Sequence, residues 1–339
     1  MAGAGGAPSD DPLASEIARW QTFLATHQSS GEIWKQVQES TRSNLADASE
    51  ALANGRRALA LQKLVSVRVN LSAMEYLDTR PPSELDAAGF QAEWKRMGEV
   101  LHGELATPKP DAFAGIRPAV ARAFAEAASL QIRAFYDAGL DYGLNTMTQS
   151  GLYFAGGAQA QRDFVALAGT FLPPSPKPLP RLAPLAPQLD AFEDALLAAY
   201  VPPASIGRHP DFIAASAALK EARELDAAGL RDGALYKYLQ AAQRLPVVTN
   251  GADVPGRLAA LEKRLDESPV DSSIGQLYLE IARADLAAAA PDRPATAAAA
   301  IADDVLPRYF AALAVGPRPS PTPRPPAEVT VTLVRWPYT

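Results

Sequence analysis

Side chains able to move a proton, attack a carbonyl or hold a metal are few in this 339-residue chain and widely spaced. The three histidines, His27, His102 and His209, lie far apart. None has another histidine three or four positions away, the spacing that puts two metal ligands on one helix face. With no cysteine there is no disulfide, thiolate nucleophile or thiolate metal site. Asp303-Asp304 and Glu193-Asp194 are adjacent carboxylates. Neighbours on a helix point about 100° apart, so neither makes an acid/base pair, and both read as solvated faces. Asp271-Ser272-Ser273 precedes an apolar helical pattern and reads as a helix start, with no base spaced to activate a serine. Dinucleotide, phosphate-loop and zinc-protease motifs are absent. The expectation is a chain with no catalytic residue, cofactor or metal site.

The residues that promise recognition lie at the other end of the chemistry, in the tail EVTVTLVRWPYT. Val329, Val331 and Leu333 alternate with Thr330, Thr332 and Val334, the period of a strand. A lone strand carries unpaired N–H and C=O groups and must find an edge on this chain or another. Arg318, Arg324 and Arg335 make the tail basic on an acidic body, and Trp336 supplies a bulky anchor. The expected partner-binding residues are therefore Val329, Val331, Leu333, Arg335 and Trp336, adding a strand to a protein partner or like subunit.

What must position such a tail is a helical body. Hydrophobic residues make up 48% of the chain but aromatics only 7%. Alanine and leucine dominate, and these favour helix over sheet. The net charge of -6 and pI near 5.3 give nucleic acid no basic footprint. No run reaches the roughly 18 apolar residues of a membrane span. The opening MAGAGGAPSDDP lacks the basic and apolar segments of a secretory signal. As written the chain reads as soluble and cytoplasmic, or periplasmic or extracellular if a signal was trimmed.

After a flexible start at 1–10, Leu13, Ile17, Trp20 and Leu24 stripe a helix over 11–28. A capping-box pattern at Ser29 and Glu32 opens a second helix, and Asn54-Gly55 turns it into a third ended by Pro81-Pro82. Further helices follow to residue 171, with turns or kinks expected at Gly139 and Gly143 and a hairpin hinged near Gly156-Gly157. Residues 172–188 are too proline-rich for helix or sheet and read as a linker between helical domains at 11–171 and 189–315. A second proline-rich spacer, 316–326, leads to the docking strand at 327–339.

In residues 215–246, Ala218, Ala222 and Leu225 face Ala234, Tyr238 and Ala241 across a turn at Gly229, with Asp232 placed to cap the second helix and Pro246 to stop it. This order of small residue, turn glycine, alanine, aromatic, alanine and proline resembles one tetratricopeptide repeat, although Glu221 and Leu225 depart from its pattern. The resemblance implies an all-α, irregular array of helical hairpins. Together with the tail it implies a non-enzymatic scaffold or binding protein docking through its C-terminal strand. The alternatives are a structural subunit joined by strand exchange and a helical small-molecule-binding protein or enzyme.

Overall fold

The computed structural model describes residues 11–27, 32–79, 86–145, 147–203, 205–244, 253–290 and 295–313, with backbone only at 32–34 and 36. Most of these residues are helical, and no β-strand occurs among them. In chain order the helices are α1 (Pro12–Thr26), α2 (Glu32–Ala53), α3 (Arg57–Asp78), α4 (Ala87–Val100), α5 (Ala119–Leu144) and α6 (Thr148–Leu167). Then come α7 (Ala186–Ala199), α8 (His209–Ala227), α9 (Arg231–Arg244), α10 (Val254–Asp266) and α11 (Ser273–Ala287). Finally, α12 (Thr296–Ala300) passes through a π-helical turn (Ile301–Val305) into α13 (Leu306–Leu313).

The hydrophobic stripes place these helices. In α1, Leu13, Ile17, Trp20 and Leu24 are all buried, and Asp11 caps its start through Leu13 N at 3.0 Å. Arg57 grips both oxygens of Asp11 at 2.7 and 2.8 Å, tying the start of α1 to that of α3 and holding the carboxyl down at about 2. Gly55, at φ +73, and Gly229, at φ +78, take the left-handed conformation that reverses α2 into α3 and α8 into α9.

At the centre lies α5, which packs against α3, α6, α8, α9 and α11. Between Ala119 and Ser129 every residue is buried except the partly covered Arg122. Six of those positions are alanine, which lets neighbouring helices close in on all sides. One hydrophobic core runs from Leu13 to Ala312, with α9 against α5 and α11 against both α3 and α5. The helices before and after the proline-rich stretch therefore share an interior. That stretch lies along the body: Leu172 and Leu185 are buried, and Pro178 O accepts from Asp271 N at 2.8 Å.

Two glycine expectations are corrected. α6 runs unbroken through Gly156-Gly157, and α5 runs through Gly139 and Gly143 to Leu144. These glycines make room for neighbours. A Cβ on Gly156 would lie 2.8 Å from the Ala73 backbone, and one on Gly143 would lie 1.8 Å from the Phe90 ring. Helix hydrogen bonds tolerate glycine when the contact it permits outweighs its flexibility.

Several helices that begin without a cap of their own receive a carboxylate from another helix. Glu280 of α11 accepts from Leu59 N of α3 at 2.7 Å, and Asp226 of α8 from Leu185 N, ahead of α7, at 2.9 Å. Asp285 of α11 accepts from Ala298 N at 2.9 Å. Asp271 accepts from Ala119 N at 3.2 Å while Ser273 Oγ accepts from Val120 N at 3.0 Å, so the start of α11 caps the start of α5. Glu126 of α5 accepts from Gly233 N of α9 at 2.7 Å. Helix-end N–H groups that lack an acceptor in their own helix thus become joints between helices.

Candidate functional site

A groove of about 700 Å³ has α3 as one wall, α9 as the other and α5 as its floor. From α3 come Gln62, Lys63, Ser66 and Asn70; from α9 come Tyr236, Lys237, Gln240, Gln243 and Arg244. The floor is Phe124, Ala127 and Ala128, followed by Gln131 and Phe135. Helical period explains the division, because positions three and four apart share a face. On α9, Tyr236, Gln240, Gln243 and Arg244 line the groove, while Leu235, Tyr238, Leu239 and Ala242 are buried.

Seven primary amides line this groove, Asn44, Gln62, Asn70, Gln131, Gln161, Gln240 and Gln243, and no carboxylate or histidine does. Each amide offers a donor and an acceptor. Some are already positioned. Gln62 Nε2 donates to the Tyr236 hydroxyl at 3.2 Å, joining the two walls, and Gln161 Nε2 donates to Gln131 Oε1 at 2.5 Å. Gln161 is 2% exposed, and its own Oε1 accepts from nothing. Asn70 Oδ1 accepts from the Tyr153 hydroxyl at 2.9 Å, and burial raises that phenol to about 12.

The cations of the rim are partly neutralised from behind. Lys63 pairs with Asp47 at 2.8 Å, and Lys237 pairs with Glu221 of α8 at 2.6 Å. Both acids lie outside the lining, so the surface presented to a ligand is amide-rich with positive character on an acidic protein.

Beneath the α9 wall is a buried ionic cluster. Arg122 Nε lies 2.9 Å from Glu126 Oε1 and 3.2 Å from Asp232 Oδ2. The sequence places Asp232 to cap α9, but in the structure it turns into the core, 5% exposed, and Glu126 takes the capping role. Burial and the neighbouring Glu126 push the Asp232 carboxyl up to about 7, with Asp271 adding to the rise and Arg122 opposing it. Burial raises Glu126 as well.

The residues singled out in sequence fare differently. Val329, Val331, Leu333, Arg335 and Trp336 lie outside the described residues, as do the spacer and strand. His27 pairs with Asp78 at 3.0 Å and stacks on Phe23, and His209 Nδ1 is 2.6 Å from the Tyr200 hydroxyl. Asp303-Asp304 is not a solvated face: Asp304 is 8% exposed and bound to Arg308 at 2.7 Å, and Asp303 is held by Arg257. Both carboxylates lie in the π-helical turn, where each meets an arginine. Asp271 does serve the start of α11, through Ser273 N at 2.9 Å, and adds its second role at α5. The amides of the groove carried no sequence signal. They come from separate hairpins, and glutamine on a helix is ordinary surface composition.

No group of three or more histidine, aspartate or glutamate side chains among the described residues converges as a metal site, and no helix there is long and apolar enough to cross a membrane. No family model, curated protein or solved structure matches this chain.

Proposed function

We propose that this protein is a non-enzymatic helical binding protein whose groove between α3 and α9 receives a segment of a protein partner, with the C-terminal strand as a second point of attachment. The observation that carries this reading is the lining itself: seven amides around an apolar floor, with no carboxylate or histidine to transfer a proton. Side-chain amides match the alternating donors and acceptors of a polypeptide main chain, and the floor at Phe124, Ala127 and Ala128 accommodates apolar side chains. The buried Gln161 Oε1 is an acceptor awaiting a donor. Support for the tail comes from its sequence, whose alternation would put Val329, Val331 and Leu333 on one face of a strand and offer Trp336 as an anchor.

Two variants test the two attachments. Ser66 is exposed and lines the groove, so Ser66→Trp fills the space without entering the core. In affinity capture from the source cells followed by mass spectrometry, Ser66→Trp is expected to lose a partner that the parent retains. Deleting residues 316–339 is expected to weaken retention of the same partner. A partner held equally by parent and Ser66→Trp would refute the groove, and one indifferent to the deletion would refute the tail.

A further inference from the structure

The groove has an ionic joint at the base of one wall, and its composition is unbalanced. Asp232 stands in the first turn of α9, about one turn before the stretch Tyr236–Arg244 that forms the wall. From α5 it is faced by Arg122 at 3.2 Å and by Glu126, which also uses Arg122 at 2.9 Å and holds Gly233 N at 2.7 Å. From the segment ahead of α11 the Asp271 carboxylate acts on it, and from α13 the Tyr309 phenol lies within its field. On its own helix the nearest cations are committed elsewhere: Arg231 to Asp226 and Lys237 to Glu221. One guanidinium therefore serves two buried carboxylates, with a third close by. Asp232 Oδ1 has no hydrogen-bond partner although it is buried.

We infer that Asp232 is a proton-operated joint which sets the separation of α9 from α5, and with it the width of the groove. This inference rests on the groove being the binding surface. With a proton on Asp232 the cluster is balanced, Arg122 with Glu126, and α9 stays docked. Without it a second buried negative charge has no donor for Oδ1, and burying such a charge is unfavourable unless water reaches it. Water reaches Asp232 most directly if the first turn of α9 lifts away from α5. There is little slack to absorb the change otherwise, since a Cβ on Gly233 would sit 2.8 Å from Glu126. The carboxyl is held at about 7, so the joint works across neutrality, closed below and open above.

The chain has no cysteine, so a pair of introduced cysteines reports without background. Spin labels on Ser66→Cys of α3 and Gln240→Cys of α9 stand on opposite walls, and pulsed electron resonance measures their separation from pH 5.5 to 8.5. The distance is expected to lengthen with a midpoint near pH 7. In Asp232→Asn, the isostere of the protonated acid, it is expected to stay at its low-pH value throughout. Glu126→Gln leaves Arg122 to Asp232 alone and is expected to move the midpoint down by about one pH unit or more. A distance that does not change with pH, a transition that survives in Asp232→Asn, or failure of Asp232→Asn to fold would overturn the joint. These measurements involve no partner, so the joint can fail while the groove reading stands. If Ser66→Trp leaves partner capture intact, the groove reading fails while the joint stands.

Discussion

Glu280 illustrates how a single side chain is set by a neighbour outside its own helix. Its carboxylate accepts from the α3 amino terminus at Leu59 N, yet burial lifts it to about 7 against the pull of those N–H groups, Arg56 and Arg283. The folded protein therefore binds a proton that the unfolded chain releases near the ordinary carboxylate value. Stability contributed this way is complete below that ordinary value and is lost as pH rises through about 7. Asp232 acts with the same sign. The melting temperature is expected to fall between pH 5 and pH 8, and Glu280→Gln, which keeps an acceptor for Leu59 N but cannot ionise, should shrink that fall. A difference of about 2 °C or more is anticipated for roughly 1 kcal/mol of linkage in a chain of this size. A fall undiminished in Glu280→Gln, seen by scanning calorimetry at the two pH values, would show that the proton is bound elsewhere. Glu280 carries no signal in the sequence and Asp232 reads there only as a helix cap, because the partners of both come from helices more than 100 residues away.

At the scale of elements, the hairpins are legible and their contacts are not. The stripe of α1, the turn at Gly55 and the facing alanines of α8 and α9 follow from local periodicity, and Ala218, Ala222, Ala234 and Ala241 are buried as that pattern demands. Gly139, Gly143 and Gly156 mislead for a definable reason. Glycine breaks a helix when nothing compensates its freedom, but here a ring or a backbone fills the space a side chain would need. Gly143→Ala should cost about 1–3 kcal/mol through the clash with Phe90, despite alanine's better helix propensity. Thermal unfolding checks this. Stabilisation by Gly143→Ala would mean that α4 yields without loss, and the close packing of Phe90 would have to be abandoned as the reason for the glycine.

For the whole molecule, the shared core governs. The proline-rich stretch reads as a linker because its composition disfavours helix, but its last three residues, Ala186 to Gln188, open α7 with Pro187 in the first turn, and composition says nothing about whether flanking helices touch. Here α9 lies on α5, α11 lies on α3 and α5, and Glu280 and Glu126 bind backbone across the divide. Unfolding should consequently be one cooperative event. Dyes on single cysteines at Ser66 of α3 and Gln240 of α9 should report the same urea midpoint, and separated midpoints would mean that the two groups of helices unfold independently. By itself the sequence determined the helical class, most helix boundaries and the alternating tail, since each follows from propensity and spacing within a few turns. Only the tertiary structure decided that seven scattered amides share one groove, that carboxylates cap foreign helices and that Asp232 is buried beside Glu126. Those properties depend on which surfaces meet, and the pairing of surfaces is set by packing over the whole core rather than by any local pattern.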